Sequence, residues 1–524
     1  MSMTEAELKI RFAEIGADWD LSKSILDRLN SGRLASPPVE VAEFPPLDGR
    51  QIVDLRGDGP WTVPRAAAEA SLKSLFPKEN LEQLLGGSGE EAVVDAAALQ
   101  TLGLKLSQIT AFGVLNGGMA TSYADSKKNQ SLGSELFAIY KGDLEKMAPV
   151  AQGQPKGITP AFLQQDGTPG PSYLELKLRS LCQINLAAKA AGCEGPGLQL
   201  FQMTSPSTDA ALHRALTDYA LSPALSDLLA YAPLRPADSP TAKQALVAAF
   251  TSVRDGSPRK FFTYRKNGKE QPYALPGGHG QNFRVLRDVY ADLKTAGYRF
   301  AYLGNVDNLG YLPSLKGLAL LALSGAPAAF DFAFKTPVDV KGGVLYREPA
   351  GRLNCADIGV AIPSAQIAEA EKSGIPILFN CATGLFDLDR LVAELDTIAE
   401  HLPVRLSEQD KDVGRYAQAE QVTWEVIGLL KNPLIFGIEK NRRFLAAKLL
   451  LDCFLTSGLH WDDPRFDQPA LAPFRALSAG LNAGLNALLE GPFGYRQEGR
   501  SWVPLSAAEI SRKITLSGTD FLSV

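Results

Sequence analysis

Two glycine pairs, a strand-end aspartate and two isolated lysines are the residues of this chain whose types and placing could do chemistry. In AFGVLNGGMATS (Ala111–Ser122) a small apolar run enters Asn116-Gly117-Gly118 and then the hydroxyls Thr121 and Ser122. A glycine pair lets backbone approach a ligand closely, and consecutive N–H groups in such a loop form a nest for anionic oxygens. LPGGHGQNF (Leu275–Phe283) offers a second backbone-exposing loop. Asp307 closes the apolar run AYLGNVDN (Ala301–Asn308), where a hard oxygen ligand could hold Mg2+ against nucleotide phosphates. Lys341 in DVKGGV and Lys448 in NRRFLAAKLLLDCF are cations that must reach solvent or an anion. Taken singly, each has a plainer reading: a tight turn, a helix cap, a lysine whose tip reaches water. The first loop is neither a Walker A loop nor a G-x-G-x-x-G fingerprint. None of the four histidines (His213, His279, His401, His460) stands at catalytic spacing with a Cys or Ser, so nucleophilic catalysis is not expected.

The elements that must position these residues alternate in type. ITAFGVL (Ile109–Leu115), LQLFQMT (Leu198–Thr204) and RFAYLGNVD (Arg299–Asp307) read as buried strands. YLELKLRSLCQINLAAKAAG (Tyr173–Gly192) and FRVLRDVYADLKTAG (Phe283–Gly297) carry apolar residues at helical period and end in glycine. That rhythm predicts an α/β fold with a mostly parallel sheet, whose ligands collect at the carboxyl ends of the strands. Residues 1–105 read mostly as helices joined by proline-rich turns, with Leu81, Leu84 and Leu85 spaced for packing, and 453–524 read as a small loop-rich region with one Ala/Leu helix. No fixed-period repeat is present.

At 524 residues with 45% hydrophobic side chains the chain can bury a large core. A net charge of −5 with scattered basic residues leaves no footprint for nucleic acid or an anionic membrane. Five widely spaced cysteines without a C-x-x-C pair speak against a disulfide framework and a zinc site. The start lacks the pattern of a secretory signal, and the longest apolar run is too short to span a bilayer. A soluble protein of the reducing cytoplasm is expected.

Six blocks taken in order resemble the UTP–glucose-1-phosphate uridylyltransferases, the eukaryotic-type UDP-sugar pyrophosphorylases. LNGGMATS is similar to that family's L-N-G-G-L-G-T-S, LQLFQMTSPSTDAAL to its M-N-S/M-T-S strand, and LPGGHGQNF to P-P-G-H-G-D. YLGNVDNLG is similar to S-N-I-D-N-L-G, FKTPVDVKGG to D-K-T-x-x-D-V-K-G-G, and NRRFLAAK to R-S-R-F-L-P-V-K. The resemblance implies a Rossmann-like nucleotidyltransferase core over 106–452. It implies nucleotide contacts at Leu115, Asn116, Gly117, Gly118, Thr204, Pro276, Gly278 and His279, and sugar-side positions at Asn308, Gly343, Asp357 and Asn380. Lys341 and Lys448 would meet phosphate, and Asp307 would hold Mg2+. The chemistry implied is in-line attack of a sugar-1-phosphate oxygen on the α-phosphorus of UTP, with pyrophosphate leaving and UDP-glucose formed. The nucleophile is already anionic, so catalysis is positioning and charge neutralisation. A UDP-N-acetylhexosamine or broad UDP-sugar pyrophosphorylase is the neighbouring reading, favoured by Met203-Thr204-Ser205. A non-catalytic UDP-sugar-binding protein is the reading from another class.

The pattern also departs from the family. A G-P-K is customary eight residues after the loop threonine; here Asn129 holds that place in TSYADSKKN. Either a one-residue contraction lets Lys128 serve the β- and γ-phosphates, or the cation comes from elsewhere. The family's uracil-contacting Phe-x-Gln is matched as Phe262-Thr263-Tyr264, without its glutamine. On the sugar side FNCATGLF keeps only Asn380 of F-N-T-N-N-L-W, and Asp357 stands where glutamate is common. The tail shows no hexapeptide repeat, which leaves the oligomeric state open.

Overall fold

The computed structural model describes residues 3–33, 39–121, 123–131, 133–253 and 257–522, so the expectation placed on Ser122 lies outside the described residues. A ten-stranded sheet forms the centre. Its strands are β1 (Ile52–Asp54), β2 (Thr110–Leu115), β3 (Gln199–Thr204), β4 (Thr241–Lys243), β5 (Phe300–Asn305), β6 (Ala328–Phe334), β7 (Gly343–Arg347), β8 (Leu353–Asp357), β9 (Leu378–Asp387) and β10 (Leu434–Gly437). They lie in the order β1-β10-β6-β9-β5-β2-β3-β4, while β7 pairs with both β8 and β9. Along that path every pairing is parallel except those of β9. The mixed, mostly parallel α/β sheet expected from the alternation is what the chain forms.

Both faces are covered, which is why the strands read as continuous apolar runs. Every residue of β2 is buried. Phe112 and Val114 join a core with the helices Ala96–Ser107, Tyr173–Ala190 and Leu315–Ser324. Ala111 and Leu115 face the other side, where Arg287–Thr295 and Leu388–His401 pack. Between them Gly113 admits no side chain, because a Cβ there would lie 2.2 Å from the Phe201 ring. The helix Tyr173–Ala190 begins at a capping box of Ser172 and Glu175 and is buried over nearly its whole length.

The segment 1–105 is less purely helical than its sequence reads. It supplies β1 to the central sheet and a hairpin of Trp61–Pro64 with Glu91–Val94, beside the helices Glu5–Glu14, Trp19–Asn30, Arg65–Leu75 and Ala96–Ser107. Leu81 and Leu85 are buried in the core. The segment 453–524 joins that core through Arg179, whose guanidinium donates to the carbonyls of Phe493, Gly494 and Leu505. All five cysteines are free thiols. Among the described residues no helix is long and apolar enough to cross a membrane, and no group of three or more His, Cys, Asp or Glu side chains could hold a metal on its own.

Candidate functional site

The carboxyl ends of four adjacent parallel strands lie side by side. Asn305 of β5 is level with Leu115 of β2, Leu115 with Met203 of β3, and Thr204 with Lys243 of β4. Beyond these ends opens a crevice of about 250 Å3, lined among others by Gly117, Gly118, Gln244, His279, Asp307, Lys156 and Lys448.

The glycine pair is anchored at both ends. Asn116 is buried; its N–H donates to the Met203 carbonyl at 2.8 Å and its Nδ2 to Gln202 Oε1 at 3.1 Å. Past the pair, the Gly118 carbonyl accepts the Lys156 N–H, and the Ala120 N–H donates to the Gln154 carbonyl, each at 3.0 Å. The loop is thereby zipped to Gln154-Pro155-Lys156. Gly157 allows this approach, since a Cβ there would come within 2.4 Å of Asn116 Oδ1.

Lys156 is 7% exposed, and its ammonium lies 2.9 Å from the centre of the Tyr123 ring and 5.4 Å from that of Tyr173. The ammonium makes no hydrogen bond among the described residues. Burial lowers its pKa to about 7, against the pull of the Asp307 carboxylate in the other direction. A cation held so, with aromatic faces beneath it and open crevice ahead, is poised for an anion. Across the crevice Lys448 Nζ lies 3.5 Å from Asp307 Oδ2; the lysine side chain is 68% exposed and the aspartate 16%.

His279 is fixed as a neutral ring. Its Nδ1 accepts the Thr423 N–H at 3.2 Å and meets the Thr423 hydroxyl at 2.7 Å, which leaves the ring proton on Nε2. Burial, and then the Lys448 charge, push its pKa down to about 4. Gln244 ties the two glycine loops together: its N–H donates to the Thr204 carbonyl and its Nε2 to the Gly278 carbonyl at 2.6 Å. Gly278 itself has φ +85°, and a Cβ there would lie 2.3 Å from the Gln421 carbonyl oxygen, so only glycine fits.

A family model described as UTP--glucose-1-phosphate uridylyltransferase matches residues 259–463. Two curated relatives carry the same function in their names, one from Encephalitozoon cuniculi, 26% identical over 185 residues, and one from Dictyostelium discoideum, 24% identical over 190 residues. Over that stretch the chain is similar to the UTP--glucose-1-phosphate uridylyltransferases. Each match covers 35% of this chain, and 37% and 36% respectively of the relatives' lengths. The fold extends further. A mutant UDP-glucose pyrophosphorylase from Leishmania major in complex with UDP-glucose superimposes with a TM-score of 0.52 at 15% identity, over 87% of this chain and 79% of that one. The UDP-N-acetylglucosamine pyrophosphorylase from Trypanosoma brucei in complex with inhibitor also gives 0.52 at 15% identity, over 73% of each chain.

Within this UDP-sugar pyrophosphorylase fold the residues singled out from sequence fall into three groups. Leu115, Gly117, Gly118, His279, Asp307 and Lys448 meet at the crevice, with Asn116 and Gly278 supporting its loops. Gly343, Asp357 and Asn380 gather at a second place on β7, β8 and β9: a Cβ on Gly343 would lie 3.5 Å from both Asp357 Oδ1 and the Asn380 Cβ. The remainder differ from expectation. The Thr204 hydroxyl donates to Asp209 Oδ1 at 2.8 Å and not toward the crevice, where Met203 stands instead. Asn308 is fully buried and saturated: Oδ1 accepts the N–H groups of Gly310 and Leu445, while Nδ2 donates to the carbonyls of Arg443 and Cys381, so no polar atom is left for a sugar. Pro276 and Lys341 are exposed and outside the crevice lining. Lys128 sits exposed on the short helix Ser126–Gln130, also outside it.

Lys156 and Gln244 were missed. The signal for the first was the Pro155-Lys156-Gly157 of QPKGITP, a Pro-Lys that resembles the one customary after the loop and is reached here past the helices Ser126–Gln130 and Ser134–Ala151. The second sits in TAKQAL, at the end of a three-residue strand too short to show a period. Tyr264, matched to the missing glutamine, packs against Tyr273 at 5.4 Å.

Proposed function

We propose that this chain transfers a uridylyl group from UTP to glucose 1-phosphate, forming UDP-glucose and pyrophosphate. The observation that carries the reading is the convergence of Lys156, Lys448, Asp307 and the zipped glycine loop on one strand-end crevice, with no nucleophile–base pair among its described residues. A reaction that joins two phosphate-bearing substrates asks for that set: cations for the phosphates, backbone N–H groups for their oxygens, and no general base.

Asp307 alone could hold Mg2+, with the remaining ligands coming from substrate phosphates and water, a donor set this hard cation commonly takes. The ion, when bound, would draw charge from the phosphate oxygens. Gly117 and Gly118 present backbone N–H groups to the triphosphate. Lys156, regaining its proton against phosphate, neutralises charge that builds as the α-phosphorus is attacked. Lys448 does so from the opposite wall. Gln244 and the Gly278 backbone lie where a base edge would meet two polar groups. His279, neutral, offers its Nε2–H as a donor and takes up no proton in the reaction. Asp357 and Asn380 lie on the sugar side.

Pyrophosphate release with UTP plus glucose 1-phosphate, compared with UTP plus N-acetylglucosamine 1-phosphate, tests the reading and its neighbour together. A large preference for the acetylated sugar would replace glucose, an outcome that Met203-Thr204-Ser205 favours. Calorimetric binding of UDP-glucose with no release from any sugar 1-phosphate would leave a binding protein in place of an enzyme.

A further inference from the structure

The stretch that carries Lys448 is held on either side by an asparagine from a different part of the chain. On its amino side Asn308, next to Asp307, bonds Leu445 and Arg443. On its carboxyl side stands Asn129, fully buried, on the segment that separates the glycine loop from Lys156. Asn129 Oδ1 accepts the Leu451 N–H at 2.9 Å, and its Nδ2 donates to the carbonyls of Tyr123 and Asp125, both at 2.9 Å. The Tyr123 carbonyl in turn accepts the Leu450 N–H at 3.0 Å. Asp452 closes the turn by accepting the N–H groups of Lys448 and Leu449 at 2.8 Å.

Tyr123 is the residue on whose ring Lys156 rests. One buried amide therefore joins the first turn of the helix Leu450–Ser457, just past Lys448, to the support of the other lysine. We propose that Asn129 is a positioning residue that sets the separation of Lys448 and Lys156 about the anion they share. The Lys448 side chain is mostly exposed and among the described residues its ammonium is ion-paired with Asp307 alone, so its backbone must supply the placing. The helix Ser126–Gln130 thus does more than link the glycine loop to the chain that follows: through Asn129 it fastens the support of Lys156 to the opposite wall. This inference rests on the reading of the crevice as a phosphate site.

The test is calorimetric binding of inorganic pyrophosphate, with Mg2+ present, to the full chain in a double-mutant cycle. Asn129→Ala should weaken pyrophosphate about tenfold, and Asn129→Ala combined with Lys448→Ala should bind no more weakly than Lys448→Ala alone. Asn482→Ala is the control, because Asn482 bonds the Thr456 carbonyl at the far end of the same helix; it should lower the melting temperature while leaving pyrophosphate affinity within twofold. Independent, additive losses from Asn129 and Lys448, or an equal loss in the control, would overturn the proposal. If Asn129→Ala does not fold, Asn129→Ser, which keeps a small polar group at the buried position, enters the same cycle. A wild-type chain that fails to bind pyrophosphate overturns the proposal too. One that binds pyrophosphate without turnover removes only the proposed reaction, and the cycle still decides on Asn129.

Discussion

The strand-end crevice and the cluster on β7, β8 and β9 differ in how their polar groups are satisfied. In the crevice Gln244 and His279 are pinned by backbone or side-chain bonds, and Lys156 is seated on aromatic rings. In the cluster Asn380 Nδ2 is buried without a hydrogen-bond partner among the described residues, as is the Oε2 of the neighbouring Glu425; in the crevice's first loop Asn116 Oδ1 is the counterpart, its amide nitrogen nonetheless held by Gln202. Burial also pushes the Asp357 carboxyl upward, with Arg405 pulling the other way. Buried polar atoms cost stability when unpaired, and such atoms in a folded chain mark strain or an absent ligand. On the proposed function the crevice's cation and ring donor are set in place before anything binds, whereas the cluster's carboxyl and amide would be completed by a ligand rich in hydroxyls. Nucleotide binding should accordingly tolerate little change, and sugar binding should be the adjustable half.

The harshest way to break that contrast is to remove a charge from the crevice. Lys156→Met and Asp307→Ala should each lower turnover by a factor of roughly a hundred or more, the size seen when one preorganised charge is taken from a transition state. Circular dichroism should report folded protein in both. Near-normal steady-state rates in Lys156→Met would return the loop cation to some other residue. In the cluster the matching change, Asn380→Ala, should raise the KM for the sugar 1-phosphate by about tenfold, the equivalent of one lost hydrogen bond, and leave the KM for UTP alone. An equal effect on both substrates would erase the distinction between the two regions.

The position of Lys156 has a consequence in pH as well. Below pH 7 the lysine is charged in folded and unfolded chains alike, and the cost of burying it is felt in full. From about 7 up to the ordinary lysine range the unfolded chain holds a proton that the folded chain has released, so stability rises with pH, by at most about 1.4 kcal/mol per unit from this group. Lys156→Met abolishes that slope. Urea midpoints measured from pH 6 to 9 should therefore show the variant's advantage largest at pH 6 and shrinking upward. Lys177, also buried and lowered to about 7, is common to both proteins and cancels. A constant difference across the range would mean that Lys156 keeps its proton when buried.

What could be read from the residues, and what could not, divides along distance in the chain. The strands β2, β3 and β5 declared themselves because a sheet covered on both faces needs unbroken apolar runs, and the loops that follow them carried their glycines and Asp307 in plain view. Asn308 looked like part of the site because it adjoins Asp307, yet its amide is consumed in holding Leu445 and Arg443, more than a hundred positions away. No local pattern reports such a bond. Thr204 misled for the reverse reason: strand alternation turns its hydroxyl toward Asp209 and presents Met203 to the crevice. Lys156 was hidden by the intervening helices, since spacing counted along the chain assumes that a loop closes directly, whereas here it closes through pairing of Met119 with Pro155.

The smallest expected effect is also the one that discriminates best between spacing and geometry. Lys128 lies close in sequence to the place where the family's loop lysine falls, and Lys156 does not. If nearness along the chain decided, Lys128→Ala would cost the charge term of a phosphate contact. Geometry assigns Lys128 to the exposed face of the helix Ser126–Gln130, whose N-terminus Asp125 caps by accepting the Lys128 N–H at 2.8 Å. That bond uses the backbone of Lys128 and survives truncation of its side chain. Lys128→Ala should thus leave both the pyrophosphate-release rate and the KM for UTP within about twofold of wild type, in line with surface substitutions that stay within ~0.5 kcal/mol. A loss approaching that of Lys156→Met would mean that this segment folds its own lysine into the crevice when nucleotide binds.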